Sequence, residues 1–187
     1  MFVVFRKPAK KPISSTLEAN YPVSKVQADL KGPWNVVFNP AQRGPEQPVV
    51  FETLQDWTTN EDERIKYFSG TATYNCKFNQ GQYSEGETIS INLGSLTAMA
   101  KVTLNGSYVG GVWATPYLLD VTKFIKEGEN ELKIEIVNTW VNRLIGDSKL
   151  PLNQRPTWCP VNPYKPESPL QPSGLFGPVQ ILSANYE

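Results

Sequence analysis

Three stretches decide the fold of this chain: YFSGTATYNCKFN (67–79), TISINLGSLTAMAKVTLNGSYVGGVWATPYLLDVT (88–122) and NELKIEIVNTW (130–140). In the first, Phe68, Ala72, Tyr74, Cys76 and Phe78 share one parity, and Thr71, Thr73, Asn75 and Lys77 take the other. In the second, Ala98, Ala100, Val102 and Leu104 alternate with Met99, Lys101 and Thr103; in the third, Leu132, Ile134 and Ile136 alternate with Glu131, Lys133 and Glu135. A period of two sends successive side chains to opposite faces of a strand. Each stretch is therefore expected to lay one face on a core and the other in water, as antiparallel sheets do.

Asn105-Gly106 joins two such runs and predicts a two-residue hairpin, because both residues tolerate positive φ. The returning SYVGGVWA carries Gly110-Gly111, a mark of a bulge or of close backbone approach. YLLDVTKFI (117–125) reads as a short strand followed by a turn that Asp120 or Thr122 can cap. Upstream, SKVQADLKGPWNVVFN (24–39) reads as two short strands around Lys31-Gly32-Pro33, and PVVFET (48–53) as another. LQDWTTNEDERIKY (54–67) is expected to be connection, with Glu61-Asp62-Glu63 as solvated surface. SGLFGPVQILSANYE (173–187) ends the chain, with Val179, Ile181 and Ala184 closing a last strand. About nine strands, with at most one helical turn near 140–146, make an all-β jelly-roll β-sandwich.

Residues 1–23 stand apart. MFVVFR begins in mid-strand and KPAKKPIS follows as a Pro-bearing linker, so this segment is assigned to the tail of a preceding domain or a linker strand, and 24–187 to the sandwich. At 187 residues the chain can bury about 70% of its extended-chain surface, enough for its own core. The 18 basic and 18 acidic residues cancel, and FRKPAKK (5–11) is the sole basic cluster, which argues against nucleic acid as a partner. No segment approaches the apolar length of a membrane-spanning helix, and no signal peptide is recognisable.

Chemistry is constrained by what is missing. With no histidine, Ser-His-Asp and Cys-His catalysis and His-ligated zinc fall away, and two cysteines cannot build a four-thiolate zinc site. Cys76, in phase with an apolar face, reads as a buried free thiol, with a disulfide to Cys159 as the alternative in an exported protein. A glycosidase needs two carboxylates across a cleft; Asp56, Asp120, Asp147 and Glu167 lie near irregular backbone, and their spacing pairs none of them. Calcium is an option at the Asp120 region or the Asn130/Glu131 turn, without EF-hand spacing; otherwise no cofactor is expected. The aromatic residues Trp113, Tyr117, Trp140, Trp158 and Tyr164 fall in or beside connections. There they either stack on sugar faces, with Asp120, Asn138, Asn142, Arg143 and Asp147 bonding hydroxyls, or pin a loop to the sandwich. For Arg143 and Asp147 the plain reading is an i,i+4 ion pair on a helical turn. Residues 139–174, with seven prolines, lack alternation, and the excursion at about 148–173 is long enough to require a function or a packing role.

A family resemblance rests on the Gly70–Tyr74 opening, the L-N-G…G-x-x-W-x-x-P-Y…D-V-T series ending at Thr122, the G-x-N-x-L run from Gly128, the segment Asn138 to Asp147 and the closing SGLFGPVQIL. Over about 30–182 the chain resembles the sugar-binding jelly-roll (galactose-binding-like) domain of family 2 glycoside hydrolases, and most of all the C-terminal sandwich of family 106 α-L-rhamnosidases. The resemblance implies a piece of an exported or periplasmic bacterial carbohydrate-degrading enzyme, with catalysis in a separate domain. It places Trp113, Pro116, Tyr117 and Asp120 on the motif's strand and turn, and Asn138, Trp140, Asn142, Arg143 and Asp147 on its exit segment. Three readings follow: an accessory domain that binds carbohydrate or shapes an active-site rim; a structural module packed on a neighbouring catalytic domain of the same polypeptide; or a small stand-alone glycosidase.

Overall fold

The structure, a computed structural model, describes residues 23–84 and 86–185; the strand and linker expected before residue 23 lie outside them. Twelve strands occur among the described residues: β1 (Lys25–Asp29), β2 (Trp34–Phe38), β3 (Val49–Phe51), β4 (Thr71–Gln80), β5 (Glu87–Asn92), β6 (Ser95–Leu96), β7 (Met99–Leu104), β8 (Ser107–Val112), β9 (Leu118–Asp120), β10 (Gly128–Val137), β11 (Leu175–Gly177) and β12 (Gln180–Asn185). They exceed the expected count because two-residue and three-residue strands leave no periodic signal. Two short helices, α1 (Glu63–Lys66) and α2 (Val141–Ser148), complete the regular structure. The strands form a six-stranded sheet in the order β3-β2-β4-β10-β7-β8, a four-stranded sheet β1-β12-β5-β9 and the small pair β11-β6, with every strand pair antiparallel. This is an all-β sandwich.

The alternation does what a period of two requires. Register places Val36, Tyr74, Ile134 and Val102 side by side across four strands, with the row Phe38, Ala72, Ile136 and Ala100 beside it. All of these are buried, in one core cluster with Ile89, Ile91 and Ile181 of the four-stranded sheet and with Val179 just before β12. Asn105 (φ 51°) and Gly106 (φ 79°) make the expected hairpin. Just before Gly110-Gly111 the register skips Val109, and a Cβ on Gly110 would lie 2.9 Å from Leu119 Cδ2, so both a bulge and a close approach are present.

Several expectations are corrected. Ala98 has φ 59° and sits in a bend before β7, outside the apolar row assigned to it. Ile181 and Ala184 do lie in β12, whose buried positions are Ile181 and Ser183, while Val179 stands just before it. The helical segment after β10 runs two turns, Val141–Ser148, where at most one was expected. Residues 54–67 are more than connection. Trp57 is fully buried and packs edge-on against Phe38 at 5.2 Å and Phe68 at 5.7 Å, and its Nε1 donates to Tyr74 Oη at 2.6 Å. Asp62 is no idle surface acid either, since it caps α1 and pairs with Arg64 at 2.7 Å.

Candidate functional site

The sandwich brings one group of the expected site residues together and leaves another apart. A 3-10 turn at Pro40–Gln42 starts it. Asn39 Oδ1 accepts from Ala41 N at 3.0 Å, and the chain leaves through Arg43 in the left-handed region at φ 67°. Gln42 then ties this turn to two other elements. Its Oε1 accepts from Thr71 N at 2.8 Å at the start of β4, and its carbonyl accepts from the Arg143 guanidinium at 3.2 Å. Gly70 lets the turn come this close: at φ 150° it has a backbone reserved for glycine, and a Cβ there would meet Gln42 Oε1 at 2.5 Å.

Around this junction lies a hollow of about 410 Å3. Its buried lining includes Ser69, Asn138 and Arg143, and its exposed rim is Arg43, Trp140 and Trp158. Trp140 is 63% exposed and Trp158 86%, whereas Arg143 is 9% exposed. Burial pulls the Arg143 guanidinium below its ordinary pKa, the neighbouring Arg43 cation pulls it further, and Asp147 opposes both. The expected Arg143–Asp147 ion pair does not form: among the described residues Arg143 reaches no carboxylate, and Asp147 Oδ2 instead accepts from Thr157 N at 3.1 Å. Asp147 lines two other hollows but not this one. Arg43 donates to Thr157 Oγ1 at 2.9 Å and to the Pro156 carbonyl, so the Pro-rich excursion is fastened to the rim.

Asn138 and Asn142 serve the frame. Asn138 Nδ2 donates to Phe68 O at 2.8 Å, and both amides donate to Ser173 Oγ, at 3.2 and 3.0 Å. Asn142 also exchanges hydrogen bonds with the Gln171 backbone at 2.7 and 2.8 Å. Ser173 N donates to Asp56 Oδ1 at 3.0 Å, and Trp57 N donates to Ser173 O at 2.8 Å. The far end of the excursion is thus pinned to α2 and to the aromatic core.

Trp113, Tyr117 and Asp120 do not line the hollow. Trp113 is 77% exposed, Tyr117 packs half-buried on the core, and Asp120 Oδ1 accepts from Thr122 N at 2.9 Å and Oγ1 at 2.6 Å, a turn cap. The oxygens considered for calcium are likewise engaged. Asn130 Oδ1 accepts from Asn105 Nδ2 and Lys126 N, and Glu131 pairs with Lys77. Among the described residues no three Asp, Glu or Cys side chains converge. Of the four carboxylates considered for catalysis, Asp56, Asp120 and Asp147 accept backbone N–H bonds and Glu167 is exposed. Cys76 and Cys159 are unpaired thiols, not a disulfide.

A larger hollow, about 660 Å3, is lined by Asn35, Val50, Asn75, Thr103 and Lys133 and has no aromatic ring in its lining. Sequence reasoning missed Gln42 and Arg43 altogether. The left-handed backbone at Arg43 follows a Pro-Ala-Gln turn that carries no local mark of a site.

Two packed antiparallel sheets with an aromatic-rimmed hollow at the loops define a galactose-binding-like β-sandwich. The chain belongs to the family described as the glycosyl hydrolase 2 galactose-binding domain-like family, which matches residues 52–167. A curated protein of Formosa agariphila, provisionally named a beta-glucuronidase, is 38% identical over 177 residues; the match covers 81% of this chain and 15% of that protein. Among solved structures, a rhamnosidase from Novosphingobium sp. PP1Y aligns with a TM-score of 0.84 at 37% identity, covering 96% of this chain and 17% of that one. A beta-D-glucuronidase of Dictyoglomus thermophilum shares the fold at a TM-score of 0.60 and 18% identity, with 90% of this chain covered and 29% of that one. The chain therefore spans about a sixth of the length of the Formosa protein and of the Novosphingobium rhamnosidase.

Proposed function

We propose that this chain is a non-catalytic accessory module of a larger, exported bacterial glycoside hydrolase, and that it contacts carbohydrate at the Trp140–Trp158 hollow beside the catalytic domain. The observation that carries this reading is the convergence of two exposed indoles on a buried, under-partnered arginine in a hollow of about 410 Å3. Indole faces stack on the apolar faces of pyranose rings, and N–H donors bond their hydroxyls. The similarity to parts of a rhamnosidase and of a protein provisionally named a beta-glucuronidase supports a carbohydrate-processing parent. Isothermal titration against plant and host polysaccharide fragments, including rhamnose-containing pectins, tests it. Saturable binding that Trp158→Ala weakens is the expected result, and no heat with any glycan contradicts it.

A second reading has its own observation. Leu152, Trp158 and Val161 are more than three-quarters exposed along one Pro-rich excursion, an apolar surface suited to packing on a neighbouring domain of the same polypeptide. Proteolysis separates the two. If packing dominates, residues 149–172 resist cleavage in the whole polypeptide and are cut in the isolated chain; if sugar contact dominates, they are cut in both until glycan is added.

A further inference from the structure

The chain as a whole is neutral, but the hollow is not. Arg43 and Arg143 both line it, and its lining contains no aspartate or glutamate. Glu46, Glu63 and Asp147 line an adjoining hollow that both arginines also border. Within the chain Arg143 makes a single side-chain hydrogen bond, to the Gln42 carbonyl, which leaves most of its donor fork without a partner among the described residues. A cation this buried is costly to hold unless an anion meets it, and a second guanidinium beside it raises that cost. Asp147 acts on it from a distance, with no ion pair or hydrogen bond to the guanidinium. An anionic ligand would supply a direct counter-charge.

Two neighbouring features specify the ligand further. Trp140 and Trp158 present large apolar faces at the rim, which suit a ring and not a bare inorganic ion. The arginines offer the planar N–H geometry that binds a carboxylate or sulfate through two parallel bonds. Resting on the carbohydrate reading above, we infer that this hollow selects an acidic saccharide: a pyranose whose carboxylate or sulfate meets Arg143 and Arg43 while its ring stacks on Trp140 or Trp158.

The test titrates the 187-residue chain with matched oligosaccharides of one linkage: a hexuronate, its carboxyl-reduced counterpart, and a sulfated derivative of the reduced form. At low salt an acidic form should bind about tenfold more tightly than the neutral one, the usual strength of one charge-assisted contact. The preference should shrink as salt rises. Arg143→Gln should bring acidic and neutral affinities together, and so should Arg43→Gln, whose exposed site keeps the experiment informative if the first variant folds poorly. Trp158→Ala should weaken acidic and neutral ligands alike. Preference for the hexuronate over the sulfated form names the carboxylate as the recognised group, and the reverse names the sulfate. Equal affinity for acidic and neutral forms overturns the inference and leaves the carbohydrate reading standing. Failure of all three to bind overturns both.

Discussion

The Arg143 guanidinium donates to the Gln42 carbonyl oxygen at 3.2 Å, and among the described residues it has no carboxylate at ion-pair distance. A cation buried this way weakens the fold that holds it, which makes its role testable by stability as well as by binding. Arg143→Met keeps the stem and volume and removes the charge, so it should be neutral or stabilising by about 1–2 kcal/mol. For a chain of this size a stabilisation of that amount is a rise of roughly 2–8 °C in Tm. The same variant should lose the preference for acidic over neutral saccharide. A fall in Tm of that size would mean that Arg143 is a net support of the fold.

Two tryptophans should respond in opposite ways. Trp57→Ala removes a fully buried ring from the Phe38–Phe68 cluster and takes away the shorter of two hydrogen bonds to Tyr74 Oη, a loss of about 3–5 kcal/mol by chemical denaturation. Trp113→Ala, at a 77% exposed ring, should shift stability by no more than about 0.5 kcal/mol.

Ser173 holds the end of the excursion through Asn138, Asn142 and the Asp56–Trp57 corner. Ser173→Ala strips a shared acceptor from two buried amides, and the expected cost is about 1–3 kcal/mol. Chymotrypsin should also cut after Trp158 or Tyr164 faster than in the unaltered chain, as mass spectrometry of the fragments will show.

Alkaline pH should destabilise the sandwich in a defined window. Burial pushes the Cys76 thiol from its ordinary 9.0 up to about 12, and pushes the Tyr74 phenol from 10.0 to about 12. In both cases the folded state keeps its proton after the unfolded chain has lost it. Stability is therefore unaffected by these groups below about pH 9 and falls as pH rises from there toward 12. Urea midpoints measured between pH 8 and 11 will trace this decline. Replacing Cys76 by Ala should remove the part that begins near pH 9 and leave the part that begins near pH 10.

Most of the scaffold was legible in the sequence because burial writes itself as alternation. Tyr74, Ile134 and Val102 could be read as one face from their spacing, and Asn105-Gly106 as their turn. Trp57 could not, because it stands alone among polar neighbours and is buried by contacts from Phe38 and Phe68, distant in sequence. For the site, Asn138, Trp140, Arg143 and Trp158 were named from residue type and position, and the fold collects them in one hollow. Trp113, Tyr117 and Asp120 were grouped with them by the same reasoning, and the fold keeps them out of it. What spacing could not reveal was direction: Asp147 lies one helical turn from Arg143 yet turns to Thr157, and the cation that accompanies Arg143 is Arg43, a hundred residues earlier.

The central claim is that saccharide binds at the Trp140–Trp158 hollow, and the five indole N–H resonances of the 15N-labelled chain test it directly. On titration with an acidic oligosaccharide, the account predicts shifts of Trp140 and Trp158, assigned by single Trp→Phe variants, while Trp34, Trp57 and Trp113 stay in place. Shifts centred on Trp113, or none at saturating ligand, would contradict it.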